Sequence, residues 1–412
     1  MSTYDAYVPE VAPHDAKSWA KHIVDRWTGF WFKPTDLTTI GAIRICAGLL
    51  FTYILLIYSY DLYALFGKDA WINGELMRKM RAETPILIES EQWIDNRVSQ
   101  PLPNDKAERN RLNQYFKEWE TDERLTYTKG APTWSIWFHV TDPTWMAVTH
   151  GAIILITLMF AVGFCTRVTA PLVWIASVSY ANRATTTYFG MDTMMNLLLI
   201  YLMVAGVCGA AGGALSVDRW LVRWWTRRTT GRRVEPAPSP LALVSGRFVT
   251  RLIQINFCIV YMASGLSKLQ GPSWWNGNAI WGVSANPEFN PLDFGPYMAY
   301  LTFLCRHRWL WELAMHGGVL FTLFAEISFS YLIWLPKWRW VMIIVAVMLH
   351  TGIALVMGLV GFSLSMLTML LAFVPPETVR RMANAIGEQF RPLVEAATGA
   401  IAPSKESMAF SR

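Results

Sequence analysis

The feature that most constrains this chain is a series of apolar runs, each long enough to cross a lipid bilayer. They lie near residues 39–66, 145–164, 168–187, 192–215, 247–269, 309–335, 338–357 and 359–375. A helix needs about 20 mostly apolar residues to cover a hydrocarbon core of roughly 30 Å. Inside lipid the backbone must satisfy its own N–H and C=O groups, and runs of this length do so as helices. The sequence therefore predicts an all-α fold, a polytopic helical membrane bundle of about eight transmembrane helices with a small outer-face cap. Only 16% of the residues are charged, well below the quarter or so usual in soluble proteins. Tryptophans such as Trp71, Trp145, Trp220, Trp275 and Trp338 flank the runs, as residues of an aromatic belt at the headgroups do.

Orientation follows from Lys and Arg in the short loops. With the N-terminus inside, Arg167, the six arginines between 219 and 233, Lys337 with Arg339, and Arg380 with Arg381 all fall inside. The stretches 67–143 and 271–308 then face outward. The net charge of +6 is thus explained by a membrane surface, and no nucleic-acid partner is expected. Three parts follow: residues 1–35 as a cytoplasmic N-terminal segment, 36–378 as the transmembrane domain with 67–143 as its extramembrane cap, and 379–412 as a cytoplasmic tail. The tail should start as an amphipathic helix and fray after Pro403. Residues 1–35 lack the basic start and short apolar core of a cleavable signal, so the first span is expected to direct insertion. A bacterial inner membrane, with both termini inside, is the expected location. The lipid bilayer is the expected partner, and the cap at 67–143 is a candidate docking surface for a protein.

The five cysteines show no CxxC spacing, which supports neither a disulfide framework nor a zinc site. No P-loop, GxSxG elbow, HExxH or paired metal-ligand spacing occurs, so no metal ligands are assigned. In the fourth run, Gly206, Ala210 and Ala214 form a small-residue series at i, i+4 and i+8 that would let another helix approach closely.

Ionisable groups inside spans are costly and mark candidate sites. Lys268 ends the fifth run, and at 100° per residue Gln254, Tyr261, Ser264 and Lys268 share one helix stripe, which should face the bundle interior. Such a lysine can serve as a base after desolvation or simply snorkel to the headgroups. The segment Tyr180-Ala-Asn-Arg183-Ala-Thr-Thr-Thr-Tyr188-Phe-Gly-Met-Asp192 offers groups that could bind an anion or carbonyl, while Asp192 also reads as a helix cap. His350 lies mid-run, as a core residue or a proton relay. Glu312 and His316 are one turn apart and could share a proton or pair. Glu326 lies deeper and could be neutral, or pair with Arg44 or with a donor on another helix.

Several of these segments share a resemblance. Tyr261-Met-Ala-Ser-Gly265-Leu-Ser-Lys268-Leu, followed by Trp274-Trp275-Asn-Gly277, is similar to a segment of the vitamin K-dependent gamma-carboxylase superfamily. So are Gly190-Met-Asp192, Ser216-Val-Asp218-Arg219, and His350 preceding Gly361-Phe362-Ser363. Together they resemble the HTTM (horizontally transferred transmembrane) domain over roughly residues 35 to 378. In the carboxylase, a lysine in a Gly-x-Lys-Lys-Leu stretch deprotonates the reduced vitamin. The resemblance implies that Lys268 is the base, with Ser267 standing where that family has its first lysine.

The carboxylase also continues into a large lumenal domain, whereas about 35 residues follow the last span here, so carboxylation of a propeptide-bearing protein is not implied. The expectation is a membrane enzyme in which Lys268, His350 and Asp192 are catalytic. Arg183, Tyr188, Tyr261, Ser264, Trp275 and His316 would hold the substrate. A quinol or vitamin K-like molecule is implied by the resemblance alone. A non-catalytic partner for maturation or export of another protein, and a small-molecule transporter, are the alternatives.

Overall fold

The computed structural model describes residues 16–74, 106–107, 110–111, 134–185, 187–231, 237–286 and 294–401. Most of the expected cap at 67–143, and the tail expected to fray after Pro403, lie outside these residues. Among the described residues every regular element is a helix.

Among the described residues, six helices are long and apolar enough to cross a membrane: Thr38–Tyr60, Pro143–Val162, Gly190–Val207, Pro240–Lys268, Arg308–Leu332 and Arg339–Met357. A seventh crossing is possible where Val360–Phe373 and Pro376–Gln389 meet at a 120° bend. The expected run at 168–187 is a helix, Thr166–Arg183, but Thr166, Thr169, Ser177, Ser179 and Arg183 are all buried along it. Its polar content separates it from the six.

In chain order the helices are α1 (Ala16–Phe32), α2 (Thr38–Tyr60), α3 (Leu62–Phe66), α4 (Pro143–Val162), α5 (Thr166–Arg183), α6 (Gly190–Val207), α7 (Val217–Thr230) and α8 (Pro240–Lys268). Then follow the short α9 (Pro272–Trp275) and α10 (Ala279–Ser284), α11 (Gly295–Arg306), α12 (Arg308–Leu332), α13 (Arg339–Met357), α14 (Val360–Leu370) and α15 (Pro376–Ile401). Local chemistry fixes the starts. Asp36 Oδ1 accepts from the Thr38 N–H at 2.8 Å, and Asp142 Oδ1 accepts from the N–H groups of Thr144 and Trp145 at 3.0 and 3.1 Å. The Ser239 hydroxyl accepts from the Ala242 N–H at 3.2 Å with Pro240 at the first helical position. Each satisfies N–H groups that a helix leaves unpaired.

One element was not foreseen here, and one expectation changes. Residues 1–35 carry a helix, α1, whose aromatic end packs by Trp31 and Phe32 against Phe248 of α8. The small-residue series does not lie on one helix. α6 ends at Val207, so Ala210 and Ala214 belong to the following turns. Of the three, Gly206 lies at a helix crossing: a Cβ there would stand 2.6 Å from Ala170 Cβ of α5.

The chain forms two compact units. One comprises Met1–Thr52, Ile156–Trp174 and Thr193–Arg412, the other Tyr53–Leu155 and Ile175–Asp192. In the first, α8, α12 and the 371–373 turn close around Phe257, Tyr261, Phe329 and Phe373, with ring centroids 4.5–5.8 Å apart. In the second, Tyr58, Phe66, Trp137 and Tyr180 form a comparable aromatic core at 4.9–6.0 Å. Aromatic pairs at such separations add to the burial of their area.

Candidate functional site

In the first unit, α8 and α12 pack against each other with Gly265 at the crossing, where a Cβ would stand 2.7 Å from Ile327 Cγ1 and 3.2 Å from Glu326 Cβ. That close approach brings Lys268 onto Glu326. Nζ lies 2.8 Å from both carboxylate oxygens and donates to Ser264 Oγ at 2.6 Å, while Ser264 donates to Glu326 Oε1 at 3.2 Å. Three groups thus form a closed ring of charge-assisted hydrogen bonds. The Lys268 side chain is 21% exposed and that of Glu326 9%. The Trp274 ring stands 5.4 Å from Nζ, within cation–π range.

One turn before Ser264, the Tyr261 hydroxyl is hydrogen-bonded to His350 Nε2 at 2.8 Å. Both residues are buried. Among the described residues, the other ring nitrogen, His350 Nδ1, has no hydrogen-bond partner, and neither does the buried Ser363 Oγ. Ser363 follows Phe362, whose ring stands 5.8 Å from that of His350. Deeper on the stripe, Gln254 Nε2 donates to the Ala372 carbonyl at 2.7 Å. The polar stripe expected of α8 therefore turns inward along its length. Glu326 has its partner in Lys268, whereas Arg44 donates to the carbonyls of Ala211 and Leu215.

The remaining candidates are placed elsewhere. Trp275 is exposed and donates to the Leu269 carbonyl at 2.6 Å; Trp274 is the indole beside Lys268. His316 bonds through Nδ1 to the backbone oxygen of Glu312 at 2.9 Å, and the Glu312 carboxylate pairs with Arg308 at 2.7 Å. Thus Glu312 and His316 do not pair through their side chains.

Arg183, Tyr188 and Asp192 belong to the second unit. Arg183 is 1% exposed, donates through Nη2 to the Gly67 carbonyl at 2.5 Å and, among the described residues, has no partner for Nη1. Asp192 Oδ2 accepts from the Phe189 N–H at 3.0 Å, the capping geometry, and Tyr188 is exposed. The same unit holds a chain that sequence reading missed: Ser59 Oγ to His150 Nε2 at 2.8 Å, and His150 Nδ1 to the Tyr180 hydroxyl at 2.5 Å. Its signal was a histidine inside an apolar run, the criterion that singled out His350.

Fold and site define, among the described residues, an all-helical protein with six or seven helices fit to cross a bilayer and an ionic cluster between two of its longest helices. Comparison with family models, with curated proteins and with solved structures finds no match.

Proposed function

We propose that this chain is a membrane-embedded acid–base enzyme of the vitamin K-dependent carboxylase-like (HTTM) kind, acting on a quinol-like or other amphiphilic substrate from the outer leaflet of a bacterial inner membrane. The observation that carries the reading is the Lys268–Ser264–Glu326 ring, with its 2.8 Å contacts from one ammonium to both carboxylate oxygens.

Proton abstraction balances within this ring. The ammonium passes a proton to Glu326, and the amine takes the proton of the substrate O–H as that bond breaks heterolytically. The products are a neutral Glu326 carboxyl, a restored Lys268 ammonium and a substrate oxyanion beside it. The net charge is unchanged, because the oxyanion replaces the carboxylate as counter-ion, and in a low-dielectric interior that avoids the cost of an isolated charge. When the Tyr261 hydroxyl donates to His350 Nε2, Nδ1 carries the ring proton and, with Ser363 Oγ, offers donors to a second substrate oxygen. The reading rests on the first unit alone.

Native mass spectrometry with lipid extraction tests it on the full chain, comparing wild type with Lys268→Met and Ser363→Ala at equal fold integrity. An amphiphile retained by wild type and depleted in both variants is the expected result. Equal small-molecule content in all three, with a co-purifying polypeptide, would overturn the reading in favour of a membrane partner protein.

A further inference from the structure

α7 contributes no buried residue. Trp220, Trp224 and Trp225 are exposed, at 60%, 44% and 63%. At helical spacing Trp220, Leu221, Trp224 and Trp225 share one face, and Arg219, Arg223 and Arg227, at i, i+4 and i+8, line its flank. Arg228 falls at the end of the aromatic face and lies over the Trp224 ring at 5.5 Å. Aromatic rings on one side and long cations beside them are the pattern of a helix lying in the plane of a bilayer surface.

Where α7 begins is fixed by a clasp. Asp218 Oδ1 accepts from the Cys165 N–H at 2.7 Å, and Oδ2 accepts from the N–H and hydroxyl of Thr166 at 2.9 and 2.8 Å. The Asp218 N–H donates to the Gly163 carbonyl at 2.9 Å, and Arg44 of α2 holds the Leu215 carbonyl at 2.5 Å. Residues 163–165 directly follow α4, an apolar helix fit to span. α7 therefore starts at the level where an apolar span ends. Its Ser216 cap and its Gly231 stop, with φ +64°, limit it to fourteen residues.

We infer that α7 is a docking helix for the anionic leaflet surface in which the protein sits, its tryptophans entering the acyl boundary and Arg223, Arg227 and Arg228 holding lipid phosphates. The occupant is a lipid surface because the exposed face is both aromatic and cationic and its origin is clamped to the end of a span. A protein partner would need neither that level nor that charge.

The test reconstitutes the full chain into nanodiscs of phosphatidylcholine alone or of phosphatidylcholine mixed equally with phosphatidylglycerol. Native mass spectrometry then counts retained lipids for wild type and Arg223→Gln/Arg227→Gln/Arg228→Gln. In parallel, quenching by lipids brominated near the headgroup is compared between wild type and Trp224→Phe/Trp225→Phe. Wild type should enrich phosphatidylglycerol, and the arginine variant should lose about five-fold or more of that preference, the factor of a single surface arginine. The emission lost in the tryptophan variant should belong to the fluorescence that brominated lipid quenches in wild type. Unchanged phosphatidylglycerol preference, or Trp224 and Trp225 emission quenched by aqueous acrylamide but not by brominated lipid, would overturn the inference.

Discussion

Replacing Lys268 by methionine keeps most of the side chain's volume and removes its charge, leaving Glu326 without its counter-ion. The Glu326 side chain is only 9% exposed, so its lone carboxylate has two options. It can remain charged, at about 3–5 kcal/mol for a broken buried pair, or take up a proton. From an ordinary carboxyl value near 4.3, neutralisation at about pH 7 costs roughly 3.7 kcal/mol, at ~1.36 kcal/mol per pH unit. The cheaper route caps the loss, so Lys268→Met should destabilise the fold by about 3–4 kcal/mol near neutrality. Protonation costs less in acid, so at about pH 5 the deficit should shrink by roughly 2.7 kcal/mol.

Glu326→Gln leaves the ammonium instead, and its deficit should shrink as pH rises, because the unfolded chain then no longer holds the extra proton. The double variant should be insensitive to pH and recover most of the loss, since a buried pair replaced by neutral groups of similar volume is often tolerated. Reversible denaturant unfolding in mixed micelles, as a double-mutant cycle at several pH values, measures this. Equal losses for both single variants without opposite pH trends, or a coupling below about 0.5 kcal/mol, would refute the reasoning.

Gly265→Leu should cost about 1–3 kcal/mol or more by overpacking the α8–α12 crossing, and should also disrupt the Lys268 ring; the same unfolding assay and amphiphile retention report both. Asp218→Ala removes the acceptor of three hydrogen bonds at the start of α5 and should lower stability by about 1–2 kcal/mol, with faster hydrogen exchange at Cys165 and Thr166. His150→Phe should cost about 1–3 kcal/mol by leaving the buried Tyr180 hydroxyl unpaired, and pairing it with Tyr180→Phe should return part of that loss.

Much of the architecture was legible because the bilayer imposes a length and a composition, which runs such as 39–66 and 338–357 display directly. The helix at Thr166–Arg183 was an exception, because its buried threonines and serines serve contacts inside the protein that no run length records. α1 was missed for a related reason. Its apolar residues, Trp19, Ile23 and Trp27, recur at i, i+4 and i+8 on one exposed face, and averaged hydropathy hides such a stripe.

In the site, the shared stripe of Gln254, Tyr261, Ser264 and Lys268 followed from helix periodicity alone. Its partners did not, because pairing Lys268 with Glu326 and Tyr261 with His350 depends on how α8, α12 and α13 pack, and on the absence of a side chain at Gly265. Proximity in sequence misled at Trp275 and Trp274, where one residue of helix rotation decides which indole stands beside the ammonium.

The central claim is that Glu326 receives the proton removed from an amphiphile. Infrared difference spectroscopy on the reconstituted full chain, before and after addition of a short-chain quinol, tests it most directly. The account predicts a new protonated-carboxyl band in wild type that is absent in Glu326→Gln and in Lys268→Met. A spectrum in which quinol addition leaves every carboxyl unchanged, or a band that persists in Glu326→Gln, would contradict it.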